Sequence, residues 1–289
     1  MRIYQLQDGE HMISGDEELK KYITTHYKGL CGPQDNNDFN LYETQTEDIP
    51  QVTDKENEIL ISEFTEAEVR EAIFQMEHNK APGPDGFPAE FYQTFWDTTK
   101  GDLMAMFSEF HKGELPLYNL NFGTIILLPK CKEAIKIQQY RPICLLNVSF
   151  KIFTKVGTNR ISVVAQKVIS PTQTAFLPGR NIMEGVVILH ETIHELHRKK
   201  HSGVILKIDF EKAYDKVKSS FVQQTLRMKG FSQKWCEWIE AFIQGGHGGI
   251  KINDQIGQNF QTLKGLRQED PLSPILFNIV VDMLAILIS

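Results

Sequence analysis

The chain has 289 residues, of which 41% are hydrophobic and 24% are charged, so it can bury a large core and is not a disordered segment. Its formal net charge of −6 argues against nucleic-acid binding driven by overall positive charge. A protein with this net charge can still contain a local basic groove. The four cysteines are scattered and form no C-x-x-C pair, which argues against a disulfide framework of the secreted kind.

Targeting and membrane segments are not expected. The first ten residues are polar and contain no apolar signal core. Residues 275–289 are strongly apolar, but they include Asn278 and Asp282 and are fewer than the roughly 20 that a membrane span needs. We therefore expect a buried final helix in an intracellular protein, located in the nucleus or the cytoplasm, with no membrane partner.

Residues 1–58 are polar and rich in turn-forming residues, and we expect them to form a linker or a loosely attached arm. A short helix is predicted from Asp16 to Tyr27. The stretch from Gly32 to Asp38 cannot easily continue a helix. A second catalytic domain is not expected here.

The next region begins with a capping-box pattern at residues 65–68, followed by apolar residues at helical spacing. This helix must end by Asn79, because the loop Lys80-Ala81-Pro82-Gly83-Pro84-Asp85-Gly86 contains two prolines around a glycine. The loop is stiff and has a basic entrance; the alternative is a plain interhelical turn. A second helix is predicted over residues 88–111.

A strand is predicted over Gly123–Leu128, closed by Pro129 and Lys130, and a short polar loop leads from it to Arg141. The two cations would belong to one strand–loop–strand unit; the alternative is that both are ordinary solvated surface residues. A helix is predicted over 150–169, followed by a loop that ends at Arg180.

The helix predicted over 181–200 carries an apolar stripe and, beside it, four histidines. His190-Glu191-Thr192-Ile193-His194 matches the H-E-x-x-H pattern, in which two imidazoles one turn apart can bind zinc. No glycine follows to turn the chain toward a third ligand. A zinc protein is therefore a minor alternative to a histidine flank that faces solvent.

A strand is predicted over Val204–Ile208, because this run is β-branched and apolar, and Asp209 stands at its end. Such a carboxylate is costly unless a cation meets it. Helices are predicted over 221–228 and 234–243, a hairpin over 250–263, and a last helix after the polar turn at 265–274.

Six segments with recognisable motifs occur in order along the chain. They are KAPGPDGF at 80–87, ILLPK at 126–130, YRPI at 140–143, QTAFLPGR at 173–180, KIDFEKAYD at 207–215 and the run 265–277. Together these segments resemble the reverse transcriptase domain of non-LTR (LINE-type) retrotransposons, especially the plant elements. The resemblance extends from about Ile59 to the C-terminus.

The resemblance implies an α+β, right-hand polymerase fold. Residues 59–202 would form the fingers-type region, and residues 203–289 a partial palm with the first catalytic strand and the final buried helix; the thumb is missing. It also implies an enzyme that adds dNTPs to a DNA 3′-hydroxyl on an RNA template, using two Mg²⁺ (or Mn²⁺) ions. The expected partners are the RNA template, the DNA primer and the dNTP, with no stable protein partner.

By the same resemblance, Asp209 matches the first metal carboxylate and is the expected catalytic residue. The carbonyl of Phe210 would support the second ion, and Tyr214 matches the aromatic gate against a ribose 2′-hydroxyl. Asp215 is expected to be a turn or cap residue rather than a ligand.

The resemblance further assigns nucleotide-binding roles to three residues. Lys130 and Arg141 match the cations that hold the triphosphate, and Gln268 matches the residue that lies against the sugar and base. Lys80 and Arg180 are the expected nucleic-acid-binding residues.

Three departures from the family pattern are visible. The chain ends at Ser289, before the aromatic-x-Asp-Asp box, and no Asp-Asp pair occurs in it. Glu269 stands where the family has glycine, which places negative charge beside a triphosphate. Asn253-Asp254 replaces an Asn-Gly turn. We therefore expect a truncated polymerase fragment that is inactive alone; the alternative is a non-catalytic nucleic-acid-binding remnant.

Overall fold

The computed structural model describes residues 2–32, 40–41, 49–253 and 255–288. The turn predicted over 33–38 and the residue Asp254 lie outside them. The α-helices are α1 (Asp16–Leu30), α2 (Asp54–Leu60), α3 (Glu66–Phe74), α4 (Ala89–Thr94), α5 (Trp96–Lys112), α6 (Val148–Val168), α7 (Ile182–Arg198), α8 (Ser219–Met228), α9 (Gln233–Ile243) and α10 (Ser273–Ile288). The strands are β1 (Gln5–Asp8), β2 (His11–Ser14), β3 (Phe122–Pro129), β4 (Tyr140–Leu146), β5 (Gly246–Ile252), β6 (Gln255–Ile256) and β7 (Phe260–Thr262), and short 3₁₀ turns cover Leu117–Asn119 and Ile137–Gln139.

A five-stranded mixed sheet has the order β4-β3-β5-β6, with β7 also paired to β5. β3 and β4 are antiparallel with Leu128 opposite Arg141, whereas β3 and β5 are parallel with Ile125 opposite Ile250. The predicted hairpin is present in modified form, since β6 pairs with the end of β5 and β7 pairs with its beginning.

The N-terminal segment packs on this sheet and is not a loose arm. β1 and β2 form an antiparallel hairpin, and α1 buries Leu19, Ile23 and Tyr27. These side chains belong to one apolar cluster with Ile125 and Ile250 of the sheet. The expectation of a loosely attached arm is therefore wrong for residues 2–32, because α1 has an apolar face that the sheet covers.

The N-terminal segment is also fixed by Asn253, which follows β5. Its Oδ1 accepts from the backbone N–H of Ile3 at 2.7 Å, and its Nδ2 donates to the carbonyl of Ile3 and to Asp16 Oδ1, both at 2.8 Å. Asn253 has a φ of +47°, a left-handed conformation that asparagine adopts more readily than most residues. This side chain therefore joins the N-terminal hairpin to the end of the central strand.

Helix α6 runs through the main helical core. Twelve residues of α6 are buried. Phe153 stacks on Phe107 of α5 with ring centroids 4.0 Å apart. Gly157 allows α9 to approach closely, since a Cβ there would lie 3.2 Å from the ring of Phe242. The guanidinium of buried Arg160 binds both carboxylate oxygens of Glu68 and lies over the ring of Phe64.

Two sequence predictions fail in this region of helices and strands. The helix predicted over 88–111 is interrupted at Phe95, which separates α4 from α5. The strand predicted over Val204–Ile208 is an irregular, solvent-exposed segment, and Val204 is 96% exposed. A β-branched run becomes a strand only where a neighbouring strand takes its hydrogen bonds, and residues 203–210 pair with none of the described strands.

Helix α7 precedes this irregular segment and also lies in solvent. It buries none of its residues, and the apolar stripe predicted for it is exposed; Ile182 is 65% accessible. The histidines of the H-E-x-x-H pattern, His190 and His194, are exposed as well. Within residues 2–32, 40–41, 49–253 and 255–288, no three His, Cys, Asp or Glu side chains gather as metal donors.

The final helix is held by a buried ion pair. Lys229 Nζ, at the end of α8, lies 2.7 Å from Asp282 Oδ2 of α10, and the two side chains are 0% and 2% exposed. Lys229 also donates to the carbonyl of Val168, and Asp282 Oδ1 accepts from the N–H of Ser170. Three helices therefore meet at one satisfied charge pair. No described helix has both the length and the apolar run needed to cross a bilayer.

The Lys229–Asp282 pair leads to a stability prediction. We expect Asp282→Ala to lower the free energy of unfolding by about 3–5 kcal/mol, since it leaves a buried ammonium without its carboxylate. The double variant Lys229→Met/Asp282→Leu should recover most of this loss, because it removes both charges and keeps the volume. Urea unfolding followed by circular dichroism measures both. Equal stability of the single variant and the wild-type chain would contradict the role of the pair.

Candidate functional site

The two cations predicted to bind the triphosphate lie at the loop end of the β3–β4 hairpin. The N–H of Lys130 donates to the carbonyl of Gln139 at 2.7 Å, and its Nζ donates to the carbonyl of Gln138 at 3.0 Å. Arg141 is exposed, and its guanidinium forms no hydrogen bond or ion pair with the described residues. Backbone carbonyls thus partly engage Lys130, whereas the Arg141 guanidinium is available to a ligand.

The turn that carries Tyr214 packs on the turn that leads to Gln268. The N–H of Leu266 donates to the carbonyl of Tyr214 at 2.8 Å, and the N–H of Gly265 donates to that of Val217 at 3.0 Å. Gly265 has a φ of +89°, and a Cβ there would lie 2.8 Å from the carbonyl oxygen of Asp215. The close approach of the two turns therefore requires glycine at this position.

Asp215 lies beside Gln268, because both residues line one small cavity of about 50 Å³. Burial raises the pKa of Asp215, and the charges of Lys212 and Lys130 oppose that rise. The structure therefore places Asp215 in the cavity wall, a position that the sequence prediction of a turn residue did not include.

Asp209 and Phe210 lie at the end of the exposed segment. The ring of Phe210 meets the ring of Phe277 of α10 edge to face at 6.4 Å, and the ring of Tyr214 stacks on Phe277 at 4.8 Å. Asp209 is exposed and forms no ion pair with the described residues. Phe277 therefore anchors the chain just after Asp209 but leaves the Asp209 carboxylate in solvent.

A pair of divalent ions needs more oxygen donors than this segment supplies. The Asp209 carboxylate and the Phe210 carbonyl are hard oxygen ligands of the kind that Mg²⁺ prefers. The part of the chain that the structure describes brings no group of three His, Cys, Asp or Glu side chains together at this place or elsewhere. The described residues therefore do not fit a two-ion site.

The two residues predicted to bind nucleic acid are already engaged within the chain. Arg180 donates to the carbonyls of Gln166, Ile169, Ser170 and Gln173 and so caps the C-terminus of α6. The proposed contact of Arg180 with nucleic acid gains no support from this geometry. Lys80 is exposed, and its Nζ lies 2.8 Å from the Glu77 carboxylate. Because this ion pair is exposed, a phosphate can replace Glu77 as the partner of Lys80 at little cost in free energy.

A larger cleft lies beside the Gln268 turn, and sequence analysis missed the residues that define it. Its volume is about 540 Å³, and it lies between the loop at Lys80, one edge of α6 and the turn at 269–274. Lys151 and Lys155, one helical turn apart on α6, line it, and Leu128 and Leu145 are among its apolar residues. Two lysines at i and i+4 among the mostly apolar residues 148–157 were the signal in the sequence.

Both lysines of the cleft are partly buried, and each lacks a hydrogen bond or ion pair with the described residues. Burial lowers the pKa of Lys151, and the charges of Glu269 and Asp270 act in the opposite direction. Burial likewise lowers the pKa of Lys155, against the charge of Glu71. Desolvated ammonium groups without a direct carboxylate partner form a place where an anion gains strong charge-assisted hydrogen bonds.

The turn beside the cleft is fixed at its two ends and exposed in its middle. Arg267 is half-buried, donates to Asn121 Oδ1 and lies 5.6 Å from the centre of the Phe150 ring. Asp270 is buried and accepts from Ser273 Oγ at 3.3 Å. Between them, Glu269 is exposed with a φ of +80°, a backbone conformation that glycine adopts without strain.

Comparison with known proteins gives relatives of this chain. The chain is 31% identical over 271 residues to the Transposon TX1 uncharacterized 149 kDa protein of Xenopus laevis, which covers 93% of this chain and 21% of that protein. It is 25% identical over 224 residues to the retrovirus-related Pol polyprotein from type-2 retrotransposable element R2DM of Drosophila melanogaster, covering 77% of this chain and 20% of that protein. The chain spans about a fifth of the length of these relatives.

Among solved structures, a chain of a partial Cas6-RT-Cas1–Cas2 complex matches with a TM-score of 0.42 and 17% identity, covering 78% of this chain and 34% of that chain. The particular resemblance to plant elements stays a prediction. The family model described as reverse transcriptase (RNA-dependent DNA polymerase) matches residues 128–289. Because this match covers more than half of the chain, the chain belongs to the reverse transcriptase family, and its relatives are proteins of non-LTR retrotransposons.

Proposed function

We propose that this chain is an RNA-directed DNA polymerase domain that holds its RNA template in the cleft beside α6. The observation that carries the proposal is the pair of partly buried ammonium groups, Lys151 and Lys155, that face this cleft without an ion pair to the described residues. The cleft borders the turn of Gln268, the residue proposed to lie against the nucleotide. A template strand bound there would lead directly to the nucleotide.

The chemistry of the cleft suits a single strand. Phosphate contacts from lysine supply affinity, and apolar side chains such as Leu128, Leu145 and Pro271 offer surface for unstacked bases. Lys80 at the entrance can exchange its exposed partner Glu77 for a phosphate. A duplex would present its bases stacked and paired, so this apolar surface favours single-stranded RNA.

On the nucleotide side, Lys130 and Arg141 are proposed to hold the triphosphate, with Tyr214 and Gln268 against the sugar. Support comes from the free guanidinium of Arg141 and from the packing of the Tyr214 turn on the Gln268 turn. Asp209 is proposed as a metal carboxylate. Reverse transcriptases are nucleotidyltransferases that generally use a divalent metal.

A nucleic-acid-binding role without catalysis is the second candidate. It is favoured by the position of Asp209 on an exposed, irregular segment, away from any group of further metal donors among the described residues. In this case the cleft would bind RNA as tightly as in a catalytic domain, but the protein would synthesise no DNA. Binding and catalysis therefore need separate measurements.

The first prediction concerns RNA binding by the cleft lysines. We expect Lys151→Ala and Lys155→Ala each to weaken binding of a single-stranded RNA about tenfold, since each removes a charge-assisted contact to phosphate. The dependence of log K on log salt should also become shallower by about 0.7 for each lysine removed. Fluorescence anisotropy at several salt concentrations measures both quantities.

The matched control for these variants is Lys28→Ala, which removes an exposed lysine of α1 that does not line the cleft. It should leave the affinity for RNA almost unchanged. Equal losses for Lys28→Ala and Lys151→Ala would mean that binding depends on total charge, and the assignment of the template to this cleft would be wrong.

A second prediction concerns Glu269, whose charge acts on both Lys80 and Lys151. We expect Glu269→Gln to strengthen RNA binding several-fold at low salt, because it removes a competing negative charge. Glu269→Gly should bind equally tightly and also unfold at a higher temperature, since glycine relieves the strain of a φ of +80°. A gain in stability without a gain in affinity would show that the carboxylate does not act on the cleft.

The third prediction separates the two candidate functions. With a DNA primer on an RNA template, dNTPs and Mg²⁺, we expect this chain alone to bind the duplex end but to give no extension product, because the described residues assemble no set of metal donors around Asp209. Product that disappears in Asp209→Asn would instead show that the site assembles on its substrates. Product that survives Asp209→Asn would contradict the role of Asp209.

A further inference from the structure

The template cleft continues into a second cavity along α6. This cavity has a volume of about 390 Å³ and shares Gln75, Lys155, Pro271 and Pro274 with the cleft. From Lys151 to Ser162 the common wall follows eleven residues of α6, which corresponds to roughly 16 Å. The two cavities therefore form one groove long enough for a short single strand, and we name the part beyond Lys155 the outer groove.

Polar groups with free hydrogen-bonding capacity line the outer groove. Thr158 Oγ1 donates to the carbonyl of Thr154 at 2.7 Å, and Ser162 Oγ donates to the carbonyl of Thr158 at 2.6 Å. Their hydrogens are used within the helix, so their oxygens can still accept. Asn159 lies between them, is half-buried and has no hydrogen-bond partner among the described residues.

An exposed aromatic ring stands at the end of the outer groove. Phe176 lines it, is 69% exposed and has a φ of +57°, which is unusual for a bulky residue. The surrounding loop is fixed, because Asn278 Nδ2 donates to the carbonyl of Ala175 at 2.6 Å and Arg180 holds the loop to the end of α6. The protein thus keeps a strained phenylalanine in solvent, where burial of its ring does not stabilise the fold.

We propose that the outer groove binds one ribonucleotide of the template, with its base stacked on Phe176 and its ribose 2′-hydroxyl donating to Asn159 or Thr158. This inference deepens the proposed function and depends on it. Stacking on an aromatic ring accepts every base, which suits a template of varied sequence. The acceptor oxygens of the groove distinguish RNA from DNA, because only RNA presents a 2′-hydroxyl donor.

One carboxylate, that of Glu71, also lines the outer groove. Glu71 accepts a hydrogen bond from Gln75 Nε2 at 2.9 Å, and its charge acts on Lys155. Lys155 is therefore the cation that offsets this carboxylate. The phosphate of the bound nucleotide would approach Lys155 at the junction of the two cavities.

The test compares RNA and DNA oligonucleotides of the same sequence, by fluorescence anisotropy, in variants of the outer groove. Phe176→Ala should weaken binding of both nucleic acids about tenfold, the loss expected for one stacked base, and Phe176→Trp should restore it. Tyr118→Ala is the matched control, because Tyr118 is 58% exposed and lies outside the groove lining. It should change neither affinity.

The ribose contact is tested by the ratio of RNA to DNA affinity. Asn159→Leu and Thr158→Val replace the polar groups by apolar ones of similar size. Together they should lower the affinity for RNA several-fold while the affinity for DNA stays the same, so that the ratio approaches one. Thermal unfolding of each variant confirms that it is folded, and Asn159→Ala replaces Asn159→Leu if the larger side chain is not tolerated.

Two results would overturn the inference. If Phe176→Ala binds RNA like the wild-type chain while Lys151→Ala still weakens binding, the outer groove is not part of the template site and the proposed function stands. If the polar variants leave the ratio of RNA to DNA affinity unchanged, the ribose assignment is wrong. If Lys151→Ala and Lys155→Ala both bind RNA like the wild-type chain, the proposed function and this inference are rejected together.

Discussion

The burial of α6 is the constraint on which the rest of this structure depends. Its apolar side chains pack against α3, α5, α9 and α10, and Phe153 and Gly157 set the closest contacts. Nearly the whole circumference of the helix is covered, so the position of its remaining edge is fixed as well. Lys151, Lys155, Asn159 and Ser162 occupy that edge, and they face open space because the core holds the opposite side.

The net charge of the protein does not show how its charges are arranged locally. The net charge is −6, yet the cleft contains two ammonium groups without a direct partner among the described residues. Two other charge pairs are direct and hydrogen-bonded, the Lys229–Asp282 pair and the contact of Arg160 with Glu68. A desolvated ammonium without a carboxylate is costly, so the exceptions in the cleft are more informative about function than the sum of charges.

The segment that joins α7 to the Tyr214 turn shows how much a strand depends on its neighbours. Its apolar, β-branched composition is that of a strand, and yet residues 203–210 are irregular and exposed. The backbone is fixed again only where Phe210 and Tyr214 meet Phe277. Aromatic packing on α10 therefore fixes the backbone just after Asp209, although it does not enclose the Asp209 carboxylate.

The sequence by itself determined the family and most of the elements. Proline and glycine breaks, the capping box and apolar periodicity placed α3, α6, α8, α9, α10 and β3 within a few residues, because these signals act over one or two turns of chain. The motifs around Lys130, Arg141 and Gln268 were recognisable for the same reason, since each is contiguous.

Which of these residues meet was set by long-range packing. That packing placed Asp215 in the same cavity wall as Gln268, made Arg180 a helix cap, covered the N-terminal segment with the sheet and left Val204–Ile208 unpaired. It also assembled the groove from Glu71 and Gln75, from Lys151, Lys155 and Asn159 of α6 and from the turn at 271–274, which are far apart in sequence. Pairing of strands and the availability of a charge depend on neighbours that are distant along the chain, and no local pattern contains that information.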